Sequence, residues 1–116
     1  MKLKELAQCL DVDLPSVLSR FAGNEALYLK FLKKFPADPT FSLLEAAIAQ
    51  NEWAEAERNA HTLKGVAANL GLTILSRRCD ALVQAIRQGK AEEFPLLHKQ
   101  CRQEYNLILE RLRQLE

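Results

Sequence analysis

The chain has 116 residues, which is enough for one domain that buries its own core without disulfides or a structural metal. Its formal net charge is only +1, so no strong overall field would draw it to nucleic acid or to an anionic membrane. We expect a cytoplasmic protein without a metal site. The sequence shows no signal peptide, no apolar run near the ~18 residues of a membrane span, and three cysteines without metal-ligand spacing.

The first half of the chain predicts helices and no strand. Leucines at positions 3, 6 and 10 predict a short helix, and Asp13 followed by Pro15 predicts the start of a second one. Asn24 is typical of a residue that caps a helix, and the two prolines at 36 and 39 predict a kink or short break in the long helix that follows. The apolar side of this long helix is predicted to comprise Leu27, Phe31, Leu32 and Phe35.

The second half predicts three more helices, each with one apolar stripe in steps of three and four residues. Gly71 and Gly89 are expected to end the first two of them. The fold class is therefore all-α: an antiparallel four-helix bundle with the short N-terminal helices packed across one end. The predicted bundle helices cover approximately residues 24–51, 52–70, 74–88 and 92–115, within a single domain of residues 1–116. Trp53 and the phenylalanines are expected in the core.

One predicted helix, from Trp53 to Leu70, contains a pattern that breaks a local rule. It has a glycine, Gly65, well inside, which costs about 1 kcal/mol relative to alanine. His61 and Lys64 lie on the same flank as Gly65, because residues three and four apart on a helix are neighbours. Departures from local rules without an obvious structural gain are typical of functional sites.

These residue types suit the transfer of a phosphoryl group. A neutral imidazole has a lone pair that can attack phosphorus, and transfer requires positive charge near the phosphoryl oxygens, which Lys64 can supply. Gly65 leaves room for a second protein to approach His61. Ala68 and Leu72 continue the same low strip, which favours docking of a partner over enclosure of a small substrate.

The chain lacks the other parts of an enzyme that acts alone. It has no phosphate-binding glycine loop, no lysine of the kind that follows such a loop, and no acidic metal cluster. We therefore expect a phospho-carrier without autonomous kinase activity, to which another protein brings the catalytic machinery.

A family resemblance agrees with this interpretation. The stretch His61-Thr62-Leu63-Lys64-Gly65, followed by Ala67, Asn69, Leu70 and Gly71, resembles the signature of histidine-containing phosphotransfer (HPt) domains of bacterial two-component multistep phosphorelays. The segments from Asp11 to Leu29 and from Thr73 to Gly89 are also similar to the family. The resemblance extends over nearly the whole chain beyond the first ten residues, and it implies a four-helix bundle and a role in signal transduction.

The resemblance implies a role for each residue of the motif. His61 would be the phospho-acceptor, through Nε2: it takes a phosphoryl group from a receiver-domain aspartate and passes it to another receiver. Lys64 would stabilise the phosphoryl group, and Gly65 would allow close approach of the receiver. The implied partners are response-regulator receiver domains and a hybrid sensor histidine kinase. No cofactor is expected on this chain, since magnesium would belong to the receiver, and we expect a monomer that does not bind nucleic acid.

Further residues are assigned less directly. Some family members place a polar side chain near the second nitrogen of the histidine; Asp80 and Gln84 are candidates here, although Val83 occupies a position that is polar in certain relatives. Arg58 would add positive charge toward the acidic pocket of a receiver and so speed association. The alternative function is a helical adaptor that binds receiver or kinase partners without being phosphorylated. Both a free-standing protein and a domain of a hybrid kinase are compatible with the sequence.

Overall fold

Helices form most of the chain, and no residue lies in a β-strand. The computed structural model describes residues 1–116. The α-helices are α1 (Leu3–Cys9), α2 (Leu14–Arg20), α3 (Glu25–Lys34), α4 (Thr40–Ala49), α5 (Trp53–Asn69), α6 (Thr73–Arg87) and α7 (Phe94–Arg113). The predicted all-α class is confirmed. No helix combines the length and the apolar character that crossing a membrane requires.

The predicted long helix of residues 24–51 is divided at its prolines. A one-turn 3₁₀ helix, Phe35–Ala37, follows α3, and α4 begins only at Thr40. Proline cannot donate a backbone hydrogen bond, so Pro36 and Pro39 interrupt the helical ladder. The Asp38 carboxylate accepts a hydrogen bond from the backbone N–H of Thr40 at 2.8 Å and so helps α4 to start again. The break expected at the prolines is therefore present.

Two of the predicted helix starts are made by side-chain caps. Asp13 Oδ1 accepts from the backbone N–H of Ser16 at 3.2 Å, and Asn24 Oδ1 accepts from that of Leu27 at 3.0 Å. Each bond satisfies an N–H group that the first helical turn leaves without a partner. The caps confirm the start positions predicted for α2 and α3.

Ion pairs and ring contacts show how the long helices pack. Between α5 and α6, Glu57 pairs with Arg87 and Lys64 pairs with Asp80, so residue numbers rise along one helix as they fall along the other. Between α4 and α7, the rings of Phe41 and Tyr105 stack with their centroids 4.0 Å apart. The core lies between these helices.

The N-terminal helices cover the end of the molecule at which α5 and α7 finish. The amino group of Met1 donates to the carbonyl of Gln114 at 2.8 Å, and the Tyr28 hydroxyl donates to the carbonyl of Leu70 at 2.7 Å. The Arg20 guanidinium donates to the carbonyls of Ala68 and Asn69. These groups donate to carbonyls at the C-terminal ends of α5 and α7, where the hydrogen-bond ladder of a helix stops.

The buried side of α3 differs from the prediction. Tyr28, Leu32 and Phe35 face the core, whereas Leu27 is 37% and Phe31 45% exposed. Tyr28 can be buried because its hydroxyl has the Leu70 carbonyl as a partner, and this rotates Leu27 and Phe31 outward. The predicted burial of Leu27 and Phe31 is wrong.

Candidate functional site

Helix α5 presents His61 on its outward side. The opposite side of α5 forms the core contact through four small or aliphatic residues that are at most 1% exposed: Ala56, Ala60, Leu63 and Ala67. His61 follows Ala60 directly, and a step of one residue turns a side chain about 100° around a helix. The imidazole is accordingly exposed, on a continuous helix that extends from Trp53 to Asn69.

Lys64, one helical turn beyond His61, reaches across to α6. Its Nζ donates to Oδ1 of Asp80 at 2.9 Å, and the two side chains are 38% and 41% exposed. The same carboxylate oxygen accepts from the amide of Gln84 at 3.4 Å. The hydrogen bond from Lys64, followed by the one from Gln84, lowers the pKa of the Asp80 carboxyl. Asp80 is therefore held in its ionised form by a cation that belongs to the motif.

The structure places Asp80 and Gln84 differently from the expectation that one of them serves the second nitrogen of His61. Both are hydrogen-bonded, but in a chain that leads to Lys64. The register that the two α5–α6 ion pairs set places His61 opposite Val83, which is 1% exposed and has no polar atom in its side chain. The polar contact that was expected at the second nitrogen of His61 is therefore found at Lys64, where Asp80 accepts a hydrogen bond.

Gly65 adjoins His61 and is open to solvent. A Cβ atom built on Gly65 would meet no atom of the rest of the protein within 4 Å, and α5 continues through this position. Neither packing inside the chain nor a special backbone conformation therefore requires glycine here. The missing side chain matters only to something that approaches from outside.

The outward strip continues to Ala68 but not to Leu72. Ala68 is exposed, whereas Leu72 is 2% exposed, so its assignment to a partner-binding strip is wrong. The reason is the turn that ends α5. The N–H of Leu72 donates to the carbonyl of Ala67 at 2.8 Å and Gly71 takes a φ of +76°, a combination that folds the next apolar residue back onto the helix.

The arginines near His61 are engaged by carboxylates. Arg58 forms an ion pair with Glu55 one turn earlier on α5, and Arg87 of α6 pairs with Glu57 at 3.1 Å. The Arg58 side chain is 70% exposed, so it remains available to a visiting surface. Arg58, Lys64 and Arg87 thus each have an acidic partner within the chain.

The second histidine of the chain has different surroundings. His98 lies on α7, its side chain is 14% exposed, and its Nε2 contacts Oε2 of Glu45 on α4. Arg102 also pairs with Glu45, at 3.3 Å. His98 is therefore part of an interhelical polar contact, and His61 is the histidine that a partner protein can reach.

Comparison with protein families settles the relationship. The model of the Hpt domain family matches residues 31–115, most of the chain. The chain belongs to the Hpt domain family. Hpt domains are helical phosphocarrier modules without kinase activity, and membership implies histidine phosphotransfer in phosphorelays together with contacts to receiver domains and kinases. Residues 1–30 lie outside the match, which is thus shorter than the expected resemblance from residue 11 onward. No curated protein and no solved structure matches the chain significantly.

Proposed function

We propose that His61 carries the phosphoryl group in this Hpt domain and exchanges it with aspartates of receiver domains. The observation that supports this most strongly is the contrast between the two histidines. His61 is exposed beside the bare backbone of Gly65, and His98 is mostly buried against Glu45. Transfer between two proteins requires an acceptor that the partner can reach in line with the bond that breaks.

The proposed step is a displacement at phosphorus. The lone pair of Nε2 of His61 attacks the phosphorus of a receiver aspartyl phosphate, the new N–P bond forms, and the O–P bond to the aspartate breaks. The aspartate leaves as a carboxylate, and the imidazole releases its Nδ1 proton to solvent. The reverse displacement passes the group to a second receiver. Lys64 stabilises negative charge on the phosphoryl oxygens, and magnesium is supplied by the receiver.

The surface around His61 is suited to docking. Gly65 and Ala68 leave low relief on the outward side of α5, so a receiver can bring its aspartate close to the imidazole. Arg58 extends from the same helix one turn before His61, where its charge favours approach of an acidic pocket.

The test uses the two histidines as a matched pair. Wild type, His61→Gln and His98→Gln are each incubated with a receiver domain labelled on its aspartyl phosphate, and acid-labile label on the Hpt domain is followed. We expect transfer to wild type and to His98→Gln and none to His61→Gln. Transfer that persists in His61→Gln would contradict the proposal. Receiver binding by wild type without any label would favour the adaptor function instead.

A further inference from the structure

The ammonium of Lys64 is occupied before any phosphoryl group arrives. Its Nζ lies 2.9 Å from Oδ1 of Asp80, across the groove between α5 and α6. If Lys64 is to stabilise a phosphoryl group on His61, it has to leave this carboxylate or share itself with it. The charge and position of Asp80 therefore bear on the reaction, although its hydrogen bonds go to Lys64 and Gln84 and not to His61.

We propose that Asp80 is a positioning residue that holds Lys64 while His61 is unmodified and releases it to the phosphoryl group when His61 is phosphorylated. This inference rests on the proposed function of His61. Asp80 makes and breaks no covalent bond in it. One ion pair, Lys64 with Asp80, is exchanged for another, Lys64 with the phosphoryl oxygens.

The exchange of one ion pair for the other should cost little free energy. The Lys64 and Asp80 side chains are 38% and 41% exposed, and ion pairs with this access to water are weak. A phosphoryl group carries more negative charge than a carboxylate and offers three strong acceptor oxygens. The ammonium is a point charge at the end of a flexible four-carbon stem, so it can turn toward its neighbour at position 61 without a change in the helix.

The surrounding contacts keep everything except the lysine side chain in place. The Ser76 hydroxyl donates to the backbone carbonyl of Lys64 at 3.1 Å and ties this turn of α5 to α6. The Gln84 amide, 3.4 Å from Oδ1 of Asp80, stays beside the carboxylate after the lysine leaves. Arg87, the next cation along the groove, is engaged by Glu57 at 3.1 Å. Lys64 is thus the cation that contacts Asp80 directly, whereas Arg87 acts on Asp80 only through its charge.

Asp80 should therefore oppose the phosphorylated state of His61. In the unmodified protein it stabilises Lys64 in the groove, and in the phosphorylated protein it competes for the same ammonium. Asp80 therefore shifts the equilibrium of phosphoryl exchange from His61 toward the receiver aspartate. Such a shift favours release of the phosphoryl group to the next protein.

The test is a double-mutant cycle on the equilibrium constant of phosphoryl exchange. Wild type, Asp80→Asn, Lys64→Gln and the double variant are each equilibrated with a receiver that phosphorylates wild type. We expect Asp80→Asn to raise the ratio of phosphorylated to unmodified His61 by up to about fivefold, the factor that corresponds to the upper end of the range for exposed ion pairs. Most of this gain should be absent when Lys64 is Gln.

Glu110→Gln is the matched control. It removes the same charge from another exposed carboxylate, which pairs with Arg113 at 3.0 Å on α7, and it should leave the ratio unchanged. An unchanged or lower ratio in Asp80→Asn would overturn the inference, and so would an equal gain with and without Lys64, because simple repulsion would then explain it.

Small-molecule phosphorylation separates this inference from the proposed function. Phosphoramidate transfers its phosphoryl group to an accessible imidazole as its P–N bond breaks and ammonia leaves. Each variant is treated with it, and the mass of the peptide that contains residue 61 is measured. Phosphate on His61 in all variants, together with equal exchange ratios, would overturn only the role of Asp80. Absence of phosphate on His61 in wild type would overturn both proposals.

Discussion

At the scale of single residues, the accessibility of the site follows from its position next to the core stripe of α5. Ala60 is fully buried, and His61 one step later is exposed. The sequence was sufficient to predict this flank position, because the stripe is regular. It was not sufficient for Leu72, whose inward orientation is set by the turn at Gly71 and not by the helical periodicity.

Two substitutions at Gly65 can distinguish a packing role inside the protein from a role in access of the receiver to His61. Gly65→Ala should increase the free energy of unfolding by up to about 1 kcal/mol, since alanine is the better helix former and its Cβ would meet nothing within 4 Å. Urea denaturation measures this gain. Gly65→Gln should fold equally well but slow phosphoryl transfer, because a long side chain next to His61 obstructs the receiver.

The two variants control each other. A loss of stability in Gly65→Ala would indicate a packing role inside the protein. Transfer at the wild-type rate by Gly65→Gln would show that access of the partner does not depend on glycine at this position.

At the scale of the elements, the helices were easier to predict than their contacts. Caps at Asp13 and Asn24 and the proline break before α4 are local features, and local features can be recognised in the sequence. The pairing of Lys64 with Asp80 depends on the register between α5 and α6. One signal in the sequence could have revealed it. Lys64 and Asp80 carry opposite charges and lie at nearly equal distances in sequence before and after the turn at Gly71, and so do Glu57 and Arg87.

The orientation of α3 also depends on a contact that its own sequence does not show. Leu27 and Phe31 look more suited to a core than Tyr28 does, yet Tyr28 is 1% exposed and they are not. The decisive factor is a hydrogen-bond acceptor at Leu70, 42 residues away, which no pattern within α3 can show.

Tyr28 is therefore expected to be important for the stability of the N-terminal packing. Tyr28→Phe should reduce the free energy of unfolding by about 1–2 kcal/mol at pH 7, because the buried carbonyl of Leu70 loses its partner. Urea denaturation measures the loss. Tyr105→Phe is the matched control and should lose less: Tyr105 is 8% exposed and stacks on Phe41, and its variant keeps this ring contact.

The same tyrosine predicts a dependence on alkaline pH. Burial raises the pKa of Tyr28 to about 12, although the charge of Arg20 opposes the shift. A raised pKa in the folded state means that the stabilising contribution is complete below about pH 10, the ordinary value, and is lost as the pH rises toward 12. Tyr28→Phe should lack this part of the pH dependence. An equal decline of wild type and Tyr28→Phe between about pH 10 and 12 would contradict it.

At the scale of the whole molecule, the N-terminal segment packs against the C-terminal end of α5, and the outward side of α5 stays exposed. Residues 1–30, outside the range that the Hpt family model matches, contribute Leu6, Leu10 and Val17 to the core at 1% exposure each. They satisfy the last carbonyls of α5 and leave its middle turns, with His61 and Gly65, open. These contacts fix the C-terminal end of α5 and leave its outward side exposed.

The central claim is that phosphate resides on His61. The most direct measurement is to locate the phosphoryl group in wild type after exchange with a phosphorylated receiver, by tandem mass spectrometry of peptides prepared at neutral or alkaline pH. We expect the phosphate on His61, with His98 unmodified. Phosphate on His98, or on a residue other than histidine, would contradict the account.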